Sequence, residues 1–296
     1  MRKQFKETII DINDEKIVLI LGDVSVYLFD DFKIKNPNKV FNLAIGENSL
    51  VSVSAGLSSQ GLIPFVHTIN PFLSDRSYEQ IKLDMLYNDF NGNIVTCGAT
   101  FDYAYDGASH HCHNDISNLR MLPNIEVLQP GSNKEVDTLV RSQYDNEKTT
   151  YYRLSDFPHE INIDVEFGKG VEMINKGSKT TIATSGPILT NVYEAAKWLD
   201  VNLLYFHTIK PIDKDLIQKY NNTNIIVFQD VNGLYEAINE VSEDKVKKFG
   251  IRDEFYTKYG DVNDARKYFG LDVESITKTI EDNIKWENTY QLWLSW

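Results

Sequence analysis

The chain has 296 residues, 42% hydrophobic and 25% charged, a globular profile with room for two domains. Its formal net charge of -13 argues against nucleic acid as a partner, since phosphate backbones demand an excess of Lys and Arg. The two cysteines, Cys97 and Cys112, rule out a disulfide framework; the polar start Met-Arg-Lys-Gln-Phe-Lys does not read as a signal peptide, and no run approaches the roughly 20 apolar residues of a membrane helix, so a cytoplasmic protein is expected.

In chain order, a helix-like segment over 3–12 precedes a short apolar run, Ile17-Val-Leu-Ile-Leu21. Strand-like runs follow at 63–67, 93–97, 125–128 and 150–153, with a helix predicted from Ser77 to about Tyr87, where Ser77-Tyr-Glu-Gln80 has capping-box spacing. A loop-like zone rich in Asp, Pro and Gly runs from about Ser155 to Gly177. A second alternation then begins, with strands at 180–184, 201–205 and 224–228 and an amphipathic helix over 189–199. Short continuous apolar strands separated by helices predict two consecutive α/β domains, each a mainly parallel sheet flanked by helices. The expected division is 1–160, a linker over 161–177, and 178–296.

Glu47 is the one carboxylate in Phe41-Asn-Leu-Ala-Ile-Gly-Glu-Asn-Ser-Leu-Val-Ser-Val-Ser-Ala-Gly-Leu57, a run otherwise apolar or small. A carboxyl in such a setting is a candidate for proton chemistry, the plainer reading being a partly exposed helix carboxylate. Further motifs are Leu21-Gly-Asp-Val24, the stretch from Pro64 to Ile81, Asp106-Gly-Ala-Ser-His-His111, Leu119-Arg-Met-Leu-Pro-Asn124, Thr184-Ser-Gly-Pro187 and Ile209-Lys-Pro211. In this order the set resembles the C-terminal half of a transketolase, a thiamine-diphosphate-binding fold for the pyrimidine followed by the transketolase C-terminal domain.

The resemblance implies a role for each motif. Glu47 contacts the aminopyrimidine of thiamine diphosphate and activates the cofactor, which carries the carbon chemistry. Phe72 packs on the pyrimidine face, with Ile69 where the family often has a second aromatic residue; Phe65 reads as core. Asp23 falls near the cofactor and subunit junction, or is a strand-end turn. Asp106 holds a sugar hydroxyl, and His110 reads the distal end of the substrate, with His111 beside it. Arg153 matches an arginine for the substrate phosphate, a fork that suits phosphate oxygens. His67 faces the active site or is a core histidine, and Arg76 pairs at a helix start or touches substrate. His110-His-Cys-His113 lacks a complete ligand set, so no metal site is expected in this chain. One departure stands out: the family commonly has a histidine eight residues before the Asp-Gly aspartate, and here that residue is Gly98, with Thr100 and Tyr103 nearby to reshape the pocket.

The Gly-Asp-Gly signature of the diphosphate site, with its later Asn, is absent from the sequence. The resemblance therefore implies a split enzyme. A separate N-terminal subunit holds the diphosphate and its Mg2+ or Ca2+ in an α2β2 assembly, and a two-carbon ketol unit passes between a ketose and an aldose, or their phosphates. The alternatives are the β subunit of a 2-oxo-acid dehydrogenase, a deoxyxylulose-phosphate synthase, and a non-catalytic scaffold subunit.

Overall fold

A computed structural model of the chain describes residues 1–243 and 245–294, with the side chains of the last helix described as far as Lys285. Six strands form the parallel part of the first sheet, largely buried except at the edge strand Val40–Asn42. They are β1 (Ile17–Leu21), β2 (Val40–Asn42), β3 (Ile63–Ile69), β4 (Gly92–Cys97), β5 (Ile125–Leu128) and β6 (Thr149–Arg153). The second sheet contains β7 (Val171–Ile174), β8 (Thr180–Ser185), β9 (Asn202–Phe206), β11 (Asn224–Gln229) and β12 (Lys247–Gly250), with β10 (Thr208–Lys210) between β9 and β11 in sequence.

The first sheet has seven strands in the order β10-β5-β6-β4-β3-β1-β2, and the second has five in the order β12-β11-β8-β9-β7. Two features depart from the expectation. First, the stretch 161–177 is not a plain linker, because β7 lies within it and pairs antiparallel with β9. Second, β10 leaves its own domain and pairs antiparallel with β5, completing the first sheet. Ile209-Lys-Pro211 thus sits in and just beyond a strand that joins the two domains.

Helix Glu47–Ser58 packs Leu50, Val51, Ser54 and Ala55 inward against β3. It fits because Gly22, at the end of β1, carries no side chain; a Cβ there would stand 2.7 Å from Leu50 Cδ1. The predicted capping box at Ser77 does not form: the Ser77 hydroxyl is buried with no partner, and the helix Tyr78–Gln80 widens at once into π-helix over Ile81–Leu86. The wider winding places Ile81, Met85 and Leu86, at spacings of four and five, on one buried face. Between the domains, Glu135 accepts hydrogen bonds from the Gly131 amide (2.8 Å) and the Tyr205 hydroxyl (2.7 Å), and His159 lies 2.9 Å away.

Candidate active site

In an open parallel sheet the strand carboxyl ends gather the functional loops. Here those ends are Leu21, Ile69 and Cys97, on the adjacent strands β1, β3 and β4. Glu47 opens its helix directly after Gly46 and is 4% exposed. An acidic residue in the first turn sits at the positive end of the helix dipole.

Phe72 lies on the short helix Asn70–Ser74, which begins after half-buried Ile69. The Arg76 guanidinium joins the two groups: it is 3.4 Å from Glu47 Oε2, and its Cζ stands 4.1 Å from the Phe72 ring centre. The His110 ring meets Phe72 edge-on at 5.0 Å, and its Nδ1 is 3.0 Å from Ser109 Oγ. Glu47, Arg76, Phe72 and His110 therefore form one row. Asp106 is exposed on the same loop, one residue before Gly107, whose φ of +79° turns the chain toward His110.

Other expected site residues take different positions. Arg153 does not face a phosphate. It is 1% exposed, with Nε 2.8 Å from Asp115 Oδ2 and Nη2 donating to Thr100 Oγ1 (2.6 Å) and the Cys112 carbonyl (2.9 Å). Thr100 and Cys112 form the bridge that closes the loop carrying Asp106 and His110, so Arg153 supports that loop from below. A guanidinium in a strand of buried residues needs a buried carboxylate, and Asp115, 38 residues away in sequence, supplies it.

His67 is also a core residue rather than a substrate contact. Its Nδ1 lies 2.8 Å from the Val95 carbonyl and its Nε2 2.9 Å from Ser25 Oγ, which assigns the proton to Nδ1 and makes Nε2 the acceptor. Burial lowers its pKa to about 4. His111 has other partners than His110: its Nε2 is 3.2 Å from the Ala104 carbonyl and its buried ring packs edge-on to Phe101. Asp23 is exposed and exchanges two 3.0 Å hydrogen bonds with Asn42, tying the end of β1 to that of β2 beside the Glu47 loop.

Tyr103 has a larger part than its place near Gly98 suggests in the sequence. Gly98 has φ +76°, and a Cβ there would lie 2.4 Å from Tyr103 Cε2, so the tyrosine ring fills the volume that a side chain at 98 would need. The Tyr103 hydroxyl donates to Asp156 Oδ2 at 3.2 Å, and Arg2 chelates the same carboxylate through Nε (3.0 Å) and Nη2 (2.9 Å). Asp102 sits behind them, accepting from the Ala99 and Asp156 amides and the Ser155 hydroxyl; burial raises its pKa to about 7. Neither Arg2 nor Asp156 carries a local sequence signal, because they are brought together from 154 residues apart.

Residues 2–156 match the family model described as transketolase, pyrimidine binding domain. A putative transketolase C-terminal section from Methanocaldococcus jannaschii is 29% identical, over 97% of this chain and 97% of that protein. One of the subunits of an apulose-4-phosphate transketolase from Phocaeicola vulgatus is 28% identical, over 96% of this chain and 97% of that protein. A solved structure described as a split gene transketolase, inactive beta4 tetramer, superposes with a TM-score of 0.83 at 25% identity, covering 95% of this chain and 96% of that one.

Proposed function

The chain belongs to the transketolase family, and from that premise we propose that it is the C-terminal subunit of a two-chain transketolase, moving a two-carbon ketol unit from a ketose to an aldose with thiamine diphosphate. One observation carries the reading: buried Glu47 and the half-exposed ring of Phe72 are bridged by Arg76 at the carboxyl ends of β1 and β3.

Those residues fit the aminopyrimidine half of the cofactor. A carboxyl can hydrogen-bond the ring nitrogen and supply the proton that nitrogen takes up, and an aromatic face can stack on a flat heterocycle. When bound, the cofactor supplies the carbon nucleophile. Glu47 holds the hydrogen bond at the ring nitrogen, Phe72 orients the ring, and Arg76 gives up both groups to admit it. His110 and Asp106 stand on the substrate side, on a loop braced by Arg153.

The chain offers one wall of a site and no diphosphate signature, which supports a partner chain carrying Gly-Asp-Gly and the metal in an α2β2 assembly. Ile45 (74% exposed), just before the Glu47 turn, and Val53 (41% exposed), further along the same helix, give that partner apolar side chains to cover. The test is reconstitution with the partner subunit, followed by ketol transfer on a sugar panel, with a lipoyl acceptor as the contrasting arm. Glu47→Gln should abolish transfer and leave assembly intact. Unchanged turnover in that variant defeats the assignment, and transfer to the lipoyl acceptor alone favours the dehydrogenase alternative.

A further inference from the structure

We propose that the end of the sugar read by this chain is an uncharged, hydroxyl-bearing chain rather than a phosphate, and that Tyr103 and Asp156 make that selection; the inference rests on the ketol-transfer reading above. The wall runs outward from Glu47. Past Phe72 and His110 comes Tyr103, 6.3 Å from the His110 ring, and past Tyr103 comes Asp156, which accepts its hydroxyl. Tyr103 and Asp156 are both half-buried, so each keeps an accessible face.

The ring of Tyr103 is fixed rather than loosely placed. Gly98 leaves it the necessary volume, and Asp156 anchors its oxygen. This anchoring places a carboxylate where the substrate's far end arrives.

Phosphate recognition needs cationic forks with free donors. The arginines at this far end of the wall and beneath its loop are already committed. Arg153 is buried on Asp115 and Arg2 is held by both oxygens of Asp156, while Arg76 stands at the Glu47 end of the row. Asp106 adds an exposed carboxylate that has no ion-pair partner among the described residues. A phosphate approaching Asp106 meets an unpaired like charge, and at Asp156 it finds the Arg2 cation already neutralised, whereas a sugar hydroxyl can donate to either carboxylate.

The test uses the enzyme assembled with its partner subunit and matched pairs of aldoses, with and without a terminal phosphate. The expected result is a kcat/KM higher by about tenfold or more for the free aldose, the order set by like-charge exclusion. Inorganic phosphate at millimolar concentration should not compete. Asp156→Asn releases Arg2 and removes one negative charge, so the preference should swing toward the phosphorylated aldose, mainly through KM. Tyr103→Phe keeps the ring on Gly98 and loses the hydroxyl; it should raise KM for free aldoses with kcat little changed, and it provides a second arm if Asp156→Asn folds poorly. A wild-type preference for the phosphorylated member overturns the proposal and puts the phosphate's cation on the partner chain. An unchanged preference in both variants overturns the selection by Tyr103 and Asp156. Absence of transfer to every sugar defeats the ketol-transfer reading itself, and this inference falls with it.

Discussion

Arg153→Met separates a buried brace from a phosphate contact. The substitution removes the 2.8 Å pairing with Asp115 and the two hydrogen bonds from Nη2, while Asp115 stays fully buried with Asn70 and Tyr151 as its remaining side-chain donors among the described residues. Removing one partner of a buried ion pair costs about 3–5 kcal/mol, because the remaining charge is left without compensation. For 296 residues at about 2.1 cal/mol/K each, the unfolding entropy is about 0.6 kcal/mol/K, so Tm should fall by about 5–8 °C. Scanning calorimetry of the variant gives the number. Adding Asp115→Asn removes the stranded charge and should restore a substantial part of the loss, a coupling that a double-mutant cycle reads directly. A Tm within about 1 °C of the parent, together with a raised KM confined to phosphorylated sugars, would refute the brace and reinstate the phosphate contact.

Other outcomes follow from the same geometry. Gly98→Ala places a Cβ against Tyr103 at φ +76° and should cost about 2–4 kcal/mol in urea unfolding, from backbone strain and overpacking together. Asp102 has its pKa raised by burial from 3.8 to about 7, so the folded chain keeps a proton that the unfolded chain has lost. Its stabilising contribution is complete below about pH 4 and fades as pH rises to 7; Asp102→Asn should remove that slope from the wild-type-minus-variant difference in unfolding free energy. His67 acts in the opposite sense. Its pKa falls from 6.5 to about 4, so its contribution is present above pH 6.5 and is lost on acidification toward 4, which His67→Asn should flatten in the same titration. Arg76→Ala frees Glu47 and Phe72 together and should tighten thiamine diphosphate binding to the assembled enzyme by about three- to tenfold in calorimetric titration; weaker binding would show that Arg76 helps to hold the cofactor.

Much of the architecture was legible because buried parallel strands announce themselves as unbroken apolar runs, as at Ile17–Leu21 and Asn224–Gln229. Glu47 was legible for the converse reason, a charge where the run should have none. What escaped depends on pairings distant in sequence. Arg153 looks like a strand-end cation until Asp115 is placed beneath it. In His110-His111, two chemically identical neighbours take different partners, His110 meeting Phe72 and His111 meeting Phe101, a division that the local sequence does not announce. The β7 and β10 strands are short, and β10 draws its partner from another domain, so neither has a periodic signature. At Ser77 the local capping pattern lost to burial of Ile81, Met85 and Leu86.

The crossing of β10 bears on how the molecule can be taken apart. A fragment ending near residue 160 would contain the whole matched pyrimidine-binding segment yet lack Thr208 and Lys210, which pair with Leu128 and Val127. Its β5 edge would be a bare row of amides and carbonyls, open to pairing with any passing strand. The family boundary at 156 therefore marks a unit of descent but not a unit that can be cut free. Domain-swap chimaeras and truncations of this chain should carry the Thr208–Lys210 strand along, or expect aggregation where the sheet was left unfinished.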